Sequence, residues 1–256
     1  MNGTGNARLH GKRVLLFGGA TGLGHACARA MLAEGARVFL SGRREQALQA
    51  GAADLGLAGA HAAGDATDQG DVERVTRAAA DAMGGLDTVV VSSGISGITR
   101  IDDAALADVR NILDTNLLPL FLTTQAALPF LREAGKGSVI AIASTSGIAG
   151  MAGRLAYCAS KAGVIGMVKA IALDLAAEGI RVNAISPSLV LTDLSRNVIG
   201  READPDGALR RREAQHPMGR LGRPEEIAAM AVHLASHEAA WTTGQNFVID
   251  GGFTVP

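Results

Sequence analysis

Aromatic side chains and cysteines are both scarce in this chain of 256 residues. Aromatic residues make up 3% of it and include a single Tyr and a single Trp. The two cysteines, Cys27 and Cys158, lie far apart in the sequence and match no metal-ligand spacing. They therefore predict small buried side chains in a reducing compartment, and neither a disulfide framework nor a metal site is expected.

An excess of charge and a long apolar run are also missing. The formal net charge of −1 lacks the basic excess that binding to nucleic acid or to an anionic membrane surface requires. The amino-terminal segment MNGTGNARLHGK has no apolar core, and Lys161, Lys169 and Asp174 interrupt the longest later candidate for a membrane span. These absences argue against nucleic-acid and membrane partners and predict a soluble, cytoplasmic protein.

What the chain does have is a repeated alternation of short strand-like and longer helix-like runs. Several strand candidates are apolar almost throughout, which indicates burial on both faces, as in parallel strands covered by helices. The pattern predicts an α/β fold with one Rossmann-type, doubly wound parallel sheet of about seven strands flanked by helices. The expected strands are 13–17, 37–41, 59–63, 86–91, 137–143, 180–186 and 246–250.

Composition indicates no division into several domains. Residues 1–10 are expected to form a flexible N-terminal tail, and residues 11–256 a single dinucleotide-binding and catalytic domain. The longest segment without a strand, 187–218, is predicted to be a loop after the sixth strand. Because ligands of such folds bind at the carboxyl ends of the strands, this loop is interpreted as a substrate lid.

A glycine cluster separates the first strand from the first predicted helix. In GGATGLG, Gly18, Gly22 and Gly24 permit the positive φ of a sharp turn and let backbone N–H groups approach a phosphate. The alternative is an ordinary tight turn, but the strand before it and the helix after it favour a nucleotide site. No GK[ST] sequence follows, so a nucleoside-triphosphate loop is excluded.

The end of the second strand, SGRREQ, bears on which nucleotide binds. An NAD site is expected to carry an acidic residue here for the ribose hydroxyls, but Gly42 and Arg43 stand in its place. The planar guanidinium of Arg43 suits a 2′-phosphate, so NADP(H) is the preferred cofactor and NAD(H) the alternative. If Arg43 and Arg44 are only solvated residues at a helix start, this preference has no basis.

The only tyrosine, Tyr157, precedes Lys161 by four residues in AYCASKAGV. Residues i and i+4 share a helix face, and a cation near a phenol lowers the pKa of the phenol towards neutrality. Hydride transfer to a carbonyl needs such a group, because the developing alkoxide must be protonated. The alternative is an accidental pair on a solvated helix, but Ser144 at the end of the fifth strand favours a catalytic role.

With these features the chain resembles the short-chain dehydrogenase/reductase family, in its compact branch, over essentially all of residues 11–253. The features that carry the resemblance are, in order, GGATGLG, GDATD, DTNLL, Ser144, YCASK, IRVNAISPS, Thr192 and RLGRPEEIAAMAVHLAS with TGQNFVIDGG. Enoyl reductases of the superfamily place the lysine farther from the tyrosine. The resemblance therefore implies a carbonyl reductase or alcohol dehydrogenase acting on a small molecule.

The resemblance also implies a role for each matching residue. Tyr157 is the general acid/base, and Lys161 lowers its pKa and binds the nicotinamide ribose. Ser144 orients the substrate oxygen, and Asn116 holds a water that links Lys161 to solvent. The implied cofactor contacts are Gly18, Thr21, Gly22, Leu23, Gly24, Arg43, Asp65, Tyr157, Lys161, Pro187, Val190 and Thr192.

Three of these residues have simpler alternatives. For Asn116 the alternative is an amide that distorts its helix and bonds to backbone. For Asp65 and Thr192 it is the capping of a turn or of a helix. The ordered set of motifs favours the functional roles.

Three positions depart from the family pattern. Phe17 stands where a threonine commonly precedes the glycine loop, VSSG at 91–94 replaces the usual Asn-Asn-Ala-Gly, and Ser188 occupies a position where glycine is expected. The first two changes remove side chains that hold strand ends together. The hydroxyls of Ser92 or Ser93 are expected to substitute for them.

The substrate pocket is expected in the loops after strands four, five and six. Its candidate lining residues are Ile95, Ser96, Ser146, Met151, Leu189 and Leu194, and the catalytic Ser144 and Tyr157 are expected to contact the substrate as well. The mainly apolar lining favours a hydrophobic or acyl ketone, and a 3-oxoacyl thioester reductase is one alternative. Another is a catalytically silent sensor or scaffold that binds NAD(P), although such a protein does not need the complete set of catalytic residues.

Two helical segments are more apolar than a helix packed on one face of a sheet requires. They are NLLPLFLTTQAALPFL and AGVIGMVKAIALDLAAEG. The surplus apolar surface should be buried elsewhere, so these helices are predicted to pair between subunits. The expected assembly is a homotetramer or a homodimer.

Overall fold

The structure, a computed structural model, describes residues 7–57 and 59–255. Most of the expected N-terminal tail, residues 1–6, lies outside these ranges. The remaining part packs on the domain: Leu9 is fully buried, and its N–H donates to the carbonyl of Glu34 at 2.9 Å. Arg8 forms an ion pair with the same Glu34 at 2.6 Å. Residues 7–10 are therefore part of the folded domain.

All seven predicted strands are present and form one parallel sheet, which confirms the expected fold class. The strands are β1 (Arg13–Phe17), β2 (Arg37–Gly42), β3 (His61–Ala63), β4 (Thr88–Val91), β5 (Gly137–Ile142), β6 (Ile180–Pro187) and β7 (Asn246–Ile249). Their order is β3-β2-β1-β4-β5-β6-β7. The order reverses between β1 and β4, which leaves a crevice at their carboxyl ends where ligands of such folds bind.

Helices cover both faces of this sheet. They are α1 (Gly22–Ala33), α2 (Glu45–Asp54), α3 (Gln69–Met83), α4 (Leu106–Glu133), α5 (Leu155–Leu175), α6 (Asp193–Ile199), α7 (Pro205–Glu213) and α8 (Pro224–Ala235). Alternate residues of β1 divide between the two layers, since side chains of a strand point to opposite faces. Leu15 and Phe17 pack with α3, α4 and α5, whereas Val14 and Leu16 pack with α1, α2 and α8.

The helix α5 and the short 3₁₀ helix after it, Leu155–Glu178, are by length and mean hydropathy alone apolar enough to cross a membrane. The core helix of a soluble protein meets the same test. In this fold Val164, Val168 and Ala172 of α5 are buried against the sheet, and Lys161 of the same helix is buried in the site described below. The helix therefore packs as a core helix of the α/β fold, with its buried side against the sheet.

The expectation of a loop over 187–218 is wrong, because α6 and α7 lie within it. Thr192 caps α6 by accepting the N–H of Ser195 at 3.3 Å, and Asp204 caps α7 by accepting the N–H of Gly207 at 2.9 Å. These side chains satisfy backbone donors that a short helix otherwise leaves open. A small apolar cluster holds the two helices together: Ile199, Ala208 and Leu221.

Candidate active site

The glycine loop between β1 and α1 is held by backbone contacts that leave no room for side chains. Gly18 has φ +81°, and a Cβ on it would lie 2.8 Å from the backbone of Ser92 after β4. A Cβ on Gly24 would lie 2.1 Å from the carbonyl oxygen of Gly18. At Gly22, with φ +60°, the nearest atom to an added Cβ is Thr192 Cγ2 at 3.9 Å. The loop is therefore closed towards the sheet and open towards the start of α6.

The amino terminus of α1 is free to receive an anion. Its N-cap residue, Thr21, makes no side-chain capping hydrogen bond, and the first turn, which includes Leu23, contains no acidic residue. The first N–H groups of the helix consequently keep their hydrogen-bonding capacity and the positive end of the helix dipole. Together with the open face of the glycine loop, this arrangement fits the pyrophosphate of a dinucleotide.

Two further predicted cofactor contacts lie after β2 and β3 at the same edge of the sheet. Arg43 is exposed and, within the described residues, forms no hydrogen bond or ion pair. Asp65 accepts hydrogen bonds from the N–H and the hydroxyl of Thr67, at 2.9 and 2.8 Å, through its Oδ1 atom. The turn-capping alternative for Asp65 is thus observed, while Oδ2 keeps its capacity to accept.

The first turn of α5 is fixed by the loop that follows β4. The N–H of Thr99 donates to the carbonyl of Gly153 at 2.9 Å. Thr99 in turn accepts the N–H groups of Leu155 through its carbonyl and of Ala156 through its hydroxyl, at 3.2 and 3.0 Å. These bonds satisfy donors at the start of the helix and set the position of Tyr157 one residue later.

Ser144 follows the carboxyl end of β5 and is near enough to Tyr157 to influence the pKa of the phenol. Ser144 Oγ accepts the N–H of Ser146 at 3.1 Å, as the N-cap of a short 3₁₀ helix, Thr145–Gly147. Burial is the largest influence on the phenol and raises the pKa of Tyr157 above its ordinary value, while its hydrogen bond with Ser144 and the charge of Arg154 act in the opposite direction. The net direction is therefore opposite to the expected lowering of the Tyr157 pKa, because burial outweighs the influences that favour the phenolate.

Lys161 shares the helix face with Tyr157 but its ammonium is bonded elsewhere. Nζ donates to the carbonyl of Ile142, the last residue of β5, at 2.8 Å and lies 5.9 Å from the centre of the Tyr157 ring. The side chain is buried, and burial lowers the pKa of the ammonium to about 8. No carboxylate pairs with Lys161 within the described part of the chain, so the site holds an uncompensated positive charge near neutral pH.

The amide of Asn116, in α4, is fully hydrogen-bonded. It accepts the N–H of Ile95 at 2.7 Å and donates to the carbonyl of Ile95 and to Ser160 Oγ, both at 2.9 Å. The alternative of an amide bonded to backbone is thus observed, with the backbone of the β4–α4 loop as the partner. A Cβ on Gly94 would lie 3.0 Å from Asn116 Oδ1 and 3.6 Å from Lys161 Nζ, so both groups face one point.

The departures at Phe17, at 91–94 and at Ser188 have separate structural explanations. Phe17 is buried in the core, and its carbonyl accepts the N–H of Ser92 at 2.9 Å. The hydroxyls of Ser92 and Ser93 form no hydrogen bond within the described residues. The expected substitution by serine side chains is therefore wrong, since backbone joins the two strand ends. Ser188 Oγ lies 2.7 Å from His216 Nε2.

The residues expected to line the substrate pocket lie on the segments that follow β4, β5 and β6, and the side chain of Leu194 is outside the described part of the structure. Ser146 is buried and bonded to Ser144, whereas Met151 is 44% exposed. Leu189 follows β6, packs on the small cluster of α6 and α7, and accepts the N–H of Gly222. On the same turn lie the predicted cofactor contacts: Pro187, the last residue of β6, and Val190, which is buried and bridges to Gly222.

Sequence reasoning missed exposed apolar side chains on the loop after β4 and on the segment that leads into α5. Ile98 on the β4–α4 loop is 73% exposed, and Ile148 and Leu155 on the β5–α5 segment are 50% and 42% exposed. A Cβ on Gly153 would lie 3.9 Å from Ile98 Cγ2, so the two segments are adjacent. Isolated isoleucines in a loop rich in polar residues were the available sequence signal. Ser160 was also missed, and its position next to Lys161 was the only indication.

The chain is similar over nearly its whole length to proteins named as dehydrogenases and reductases. A family model described as enoyl-(acyl carrier protein) reductase matches residues 18–254. The 3-alpha-(or 20-beta)-hydroxysteroid dehydrogenase of Mycobacterium tuberculosis is 38% identical over 247 residues, 96% of this chain and 91% of that protein. D-threitol dehydrogenase of Mycolicibacterium smegmatis is 38% identical over 251 residues, 97% of this chain and 95% of that protein. A structure of a variant actinorhodin polyketide ketoreductase with NADPH has a TM-score of 0.90 at 32% identity, covering 96% and 98% of the two chains.

Proposed function

The chain belongs to the short-chain dehydrogenase/reductase family, an NAD(P)(H)-dependent group of carbonyl and alcohol oxidoreductases, and we propose that Tyr157 is its general acid/base. The observation that carries the proposal is the placement of Tyr157 and the buried Lys161 on one helix face, with Lys161 Nζ 5.9 Å from the centre of the Tyr157 ring and bonded to the end of β5, the strand that Ser144 follows. A silent sensor or scaffold has no use for this arrangement. The relatives named above are, like this chain, enzymes.

When bound, a nicotinamide cofactor would supply the hydride for carbonyl reduction. The chain supplies the proton: the raised pKa of Tyr157 keeps the phenol protonated at neutral pH, so its hydroxyl donates to the substrate oxygen. Ser144 Oγ accepts the N–H of Ser146, and its hydroxyl hydrogen, which acts on the phenol in this structure, would hold the substrate oxygen when substrate is bound. The positive charge of Lys161 stabilises the phenolate that remains.

Alcohol oxidation runs the same proton transfer in reverse. Tyr157 must then accept the proton of the alcohol, which requires the phenolate form. Because burial raises the pKa of Tyr157, this form is scarce at neutral pH, and the charge of Lys161 has to offset the effect of burial. The i,i+4 spacing of Tyr157 and Lys161 is the reason for proposing carbonyl rather than enoyl reduction.

Replacement of the phenol tests the assignment. Tyr157→Phe should keep the fold and the cofactor affinity but lose about 10²–10⁴-fold in kcat, the usual contribution of general acid catalysis. Cys158→Ala, at the next position of the same helix, is the control and should keep kcat. The measurement is steady-state turnover with cofactor affinity by fluorescence titration. Near-normal kcat in Tyr157→Phe would overturn the assignment.

The preferred cofactor is proposed to be NADP(H), with NAD(H) as the alternative. Arg43 is exposed at the edge of the sheet where the adenosine half of a dinucleotide lies in such folds, and no described acidic residue neutralises it. Gly42 beside it presents no carboxylate that would repel a 2′-phosphate. The ketoreductase structure with NADPH supports this proposal by similarity.

The substrate is proposed to be a ketone or secondary alcohol on an apolar skeleton. Support comes from the exposed apolar side chains Ile98, Ile148, Met151 and Leu155, which lie on the loop after β4 and on the segment that leads into α5. Exposed apolar surface of this kind is stabilised when an apolar ligand covers it. The relative named for hydroxysteroids is consistent with this class. A screen should therefore show faster NADPH oxidation with bulky cyclic ketones than with 3-oxoacyl thioesters, and the reverse order would favour the thioester alternative.

The assembly is proposed to be a homotetramer, with a homodimer as the alternative, and the compartment the cytoplasm. The support for assembly is exposed apolar surface on the outer faces of α4 and α5, where Phe121 is 46% and Leu173 81% exposed. The net charge of −1 supports neither nucleic acid nor an anionic membrane as a partner.

A further inference from the structure

A second cleft, of about 140 Å³, lies at the amino-terminal edge of the sheet. The residues that line it precede or begin β1, β4, β5 and β6, or follow α8: Lys12, Asp87, Lys136, Ser138, Arg181 and His237. A strand rises about 3.3 Å per residue, so β5 separates this cleft from Ser144 by about 20 Å. The cleft is therefore distinct from the nucleotide crevice and from the catalytic residues.

Cations dominate the lining of this cleft. The guanidinium of Arg181 is partly buried and donates only to backbone carbonyls, those of Leu234 at 2.6 Å and of Thr242 and Ser236 at 3.4 Å. Lys12 is partly buried and its ammonium forms no hydrogen bond within the described residues. Lys136 is exposed on the turn before β5.

The single carboxylate in the cleft does not neutralise these cations. Asp87 is already bound by Arg13, through the backbone N–H at 2.9 Å and the guanidinium at 2.7 and 3.2 Å. No other acidic side chain lines the cleft, and the residues outside the described ranges include no Asp or Glu. Lys12, Lys136 and Arg181 are thus left without a paired anion in the described part of the protein.

The cations of the cleft lower the pKa of His237, which lies at the edge of the cleft. The charges of Lys12 and Lys136, with burial and Arg181 as further causes, lower the pKa of the imidazole below its ordinary value. Burial lowers the pKa of Lys12, and Lys136 and Arg181 add to that effect, while Asp87 opposes it. An anion placed among these four side chains would relieve their mutual repulsion.

We propose that this cleft binds a phosphate group. Arginine and lysine donors around a concave site are the usual means of holding phosphate, and Arg181 is fixed in place by its carbonyl contacts. The volume corresponds to about four or five water molecules, which admits one phosphate group but not a nucleoside. The group comes either from free inorganic phosphate or from a small phosphate monoester whose remainder projects into solvent.

The imidazole of His237 is a local probe of this site. Its pKa is measured by NMR, with the resonance assigned by His237→Gln, in inorganic phosphate and in chloride at one ionic strength. We expect the pKa of His237 to rise in phosphate and the other histidines to show no such change. A second titration with glycerol phosphate distinguishes the two sources of the phosphate group. Tighter binding of glycerol phosphate than of inorganic phosphate would identify a monoester as the ligand, and the reverse order would identify free phosphate.

Matched variants separate this cleft from the cofactor site, which also has affinity for phosphate. Lys136→Gln and Lys12→Gln should each weaken the phosphate-dependent shift of His237 by about tenfold in affinity, the effect of one charge-assisted contact. Lys169→Gln, an exposed lysine on α5, and Arg43→Ala should leave it unchanged. No shift at His237, or a shift abolished by Arg43→Ala but kept in Lys136→Gln, would overturn the proposal.

Discussion

At the scale of single residues, the energetics of the site depend on two charged side chains in opposite environments. Lys161 is buried with only the carbonyl of Ile142 as a partner, and its pKa falls to about 8. Arg43 is exposed and has no described partner. Burial of Lys161 destabilises the fold and strengthens the effect of its charge on the neighbouring phenol of Tyr157. Arg43, in contrast, acts only on a molecule that binds beside it.

Removing the buried charge should stabilise the protein while abolishing catalysis. The pKa of Lys161 in the folded state lies below its unfolded value of 10.5, so its cost is complete below pH 8 and disappears as pH rises towards 10.5. The cost is at most about 3 kcal/mol, and loss of the bond to Ile142 returns about 1 kcal/mol of it. Lys161→Met should therefore raise Tm at pH 7 by several degrees and have little effect at pH 10.

Thermal unfolding at the two pH values measures this effect. Lys169→Met, which changes an exposed lysine on the same helix, is the control and should leave Tm nearly unchanged. A lower Tm for Lys161→Met at pH 7 would show that the bond to Ile142 outweighs the cost of burying the ammonium.

The exposed arginine should set the choice of cofactor. A charge-assisted contact between Arg43 and a 2′-phosphate is worth about 1.5–3 kcal/mol, which corresponds to about a ten- to hundredfold preference for NADP(H). Arg43→Ala should remove most of it, and Arg44→Ala, the adjacent exposed arginine, less. The measurement is kcat/KM for both cofactors at one salt concentration, since the contact is screened by salt. Equal values in the unmodified enzyme would leave Arg43 without this role.

At the scale of elements, the glycine loop is the part of the site where backbone geometry leaves the least freedom. Gly24 faces the carbonyl of Gly18 at a distance where no Cβ fits, and Gly18 in turn lies against the backbone after β4. Since backbone lies on both sides, no side-chain rotation makes room. The loop and the start of α1 should therefore move together when either glycine is replaced.

Gly24→Ala should displace the loop and weaken cofactor binding at least tenfold, with about 1–3 kcal/mol lost in stability through overpacking. The control is Gly70→Ala in the first turn of α3, where an added Cβ meets only Asp68 Oδ1 at 3.4 Å. That change should gain about 0.5–1 kcal/mol, as expected for glycine in a helix. Cofactor titration and chemical unfolding give both quantities. Unchanged cofactor affinity in Gly24→Ala would contradict the role of this close contact.

Strands were more predictable than the polar helices. Each predicted strand overlaps an observed one, and most ends agree within two residues. The reason is that a buried parallel strand is apolar on both faces, so a short run such as VLLF in β1 is sufficient to identify it. By contrast, α6 and α7 within 187–218 are short, and α7 carries few apolar residues. Their caps, Thr192 and Asp204, were the only local indication, and turn residues give the same signal.

At the scale of the whole molecule, apolar surface remains on the outer side of the helical layer. Leu118 and Phe121 of α4 are 37% and 46% exposed, and Leu173 of α5 is 81% exposed. On the opposite edge Trp241 is fully exposed, and among residues 7–57 and 59–255 the strand β7 pairs with β6 alone. Exposed apolar patches and an uncovered strand edge are both stabilised by association with another subunit.

A charge placed on this surface should dissociate the assembly. Light scattering should show an oligomer for the unmodified protein and smaller species for Leu173→Asp. Gln69→Asp, which adds the same charge on α3 at an exposed position, should leave the mass unchanged. A stable monomer of the unmodified protein at micromolar concentration would contradict the predicted assembly.

The sequence by itself determined the fold class, the family and the positions of the glycine loop and of Tyr157 with Lys161. These follow from local order along the chain: strand burial, glycine placement and i,i+4 spacing need no knowledge of distant contacts. Only the tertiary structure decided the electrostatics. Three features show this: the direction of the Tyr157 pKa shift, the bonding of Asn116 to Ile95 and the basic cleft at the amino-terminal edge of the sheet. All three depend on burial and on neighbours from distant parts of the chain, which residue type and spacing do not specify.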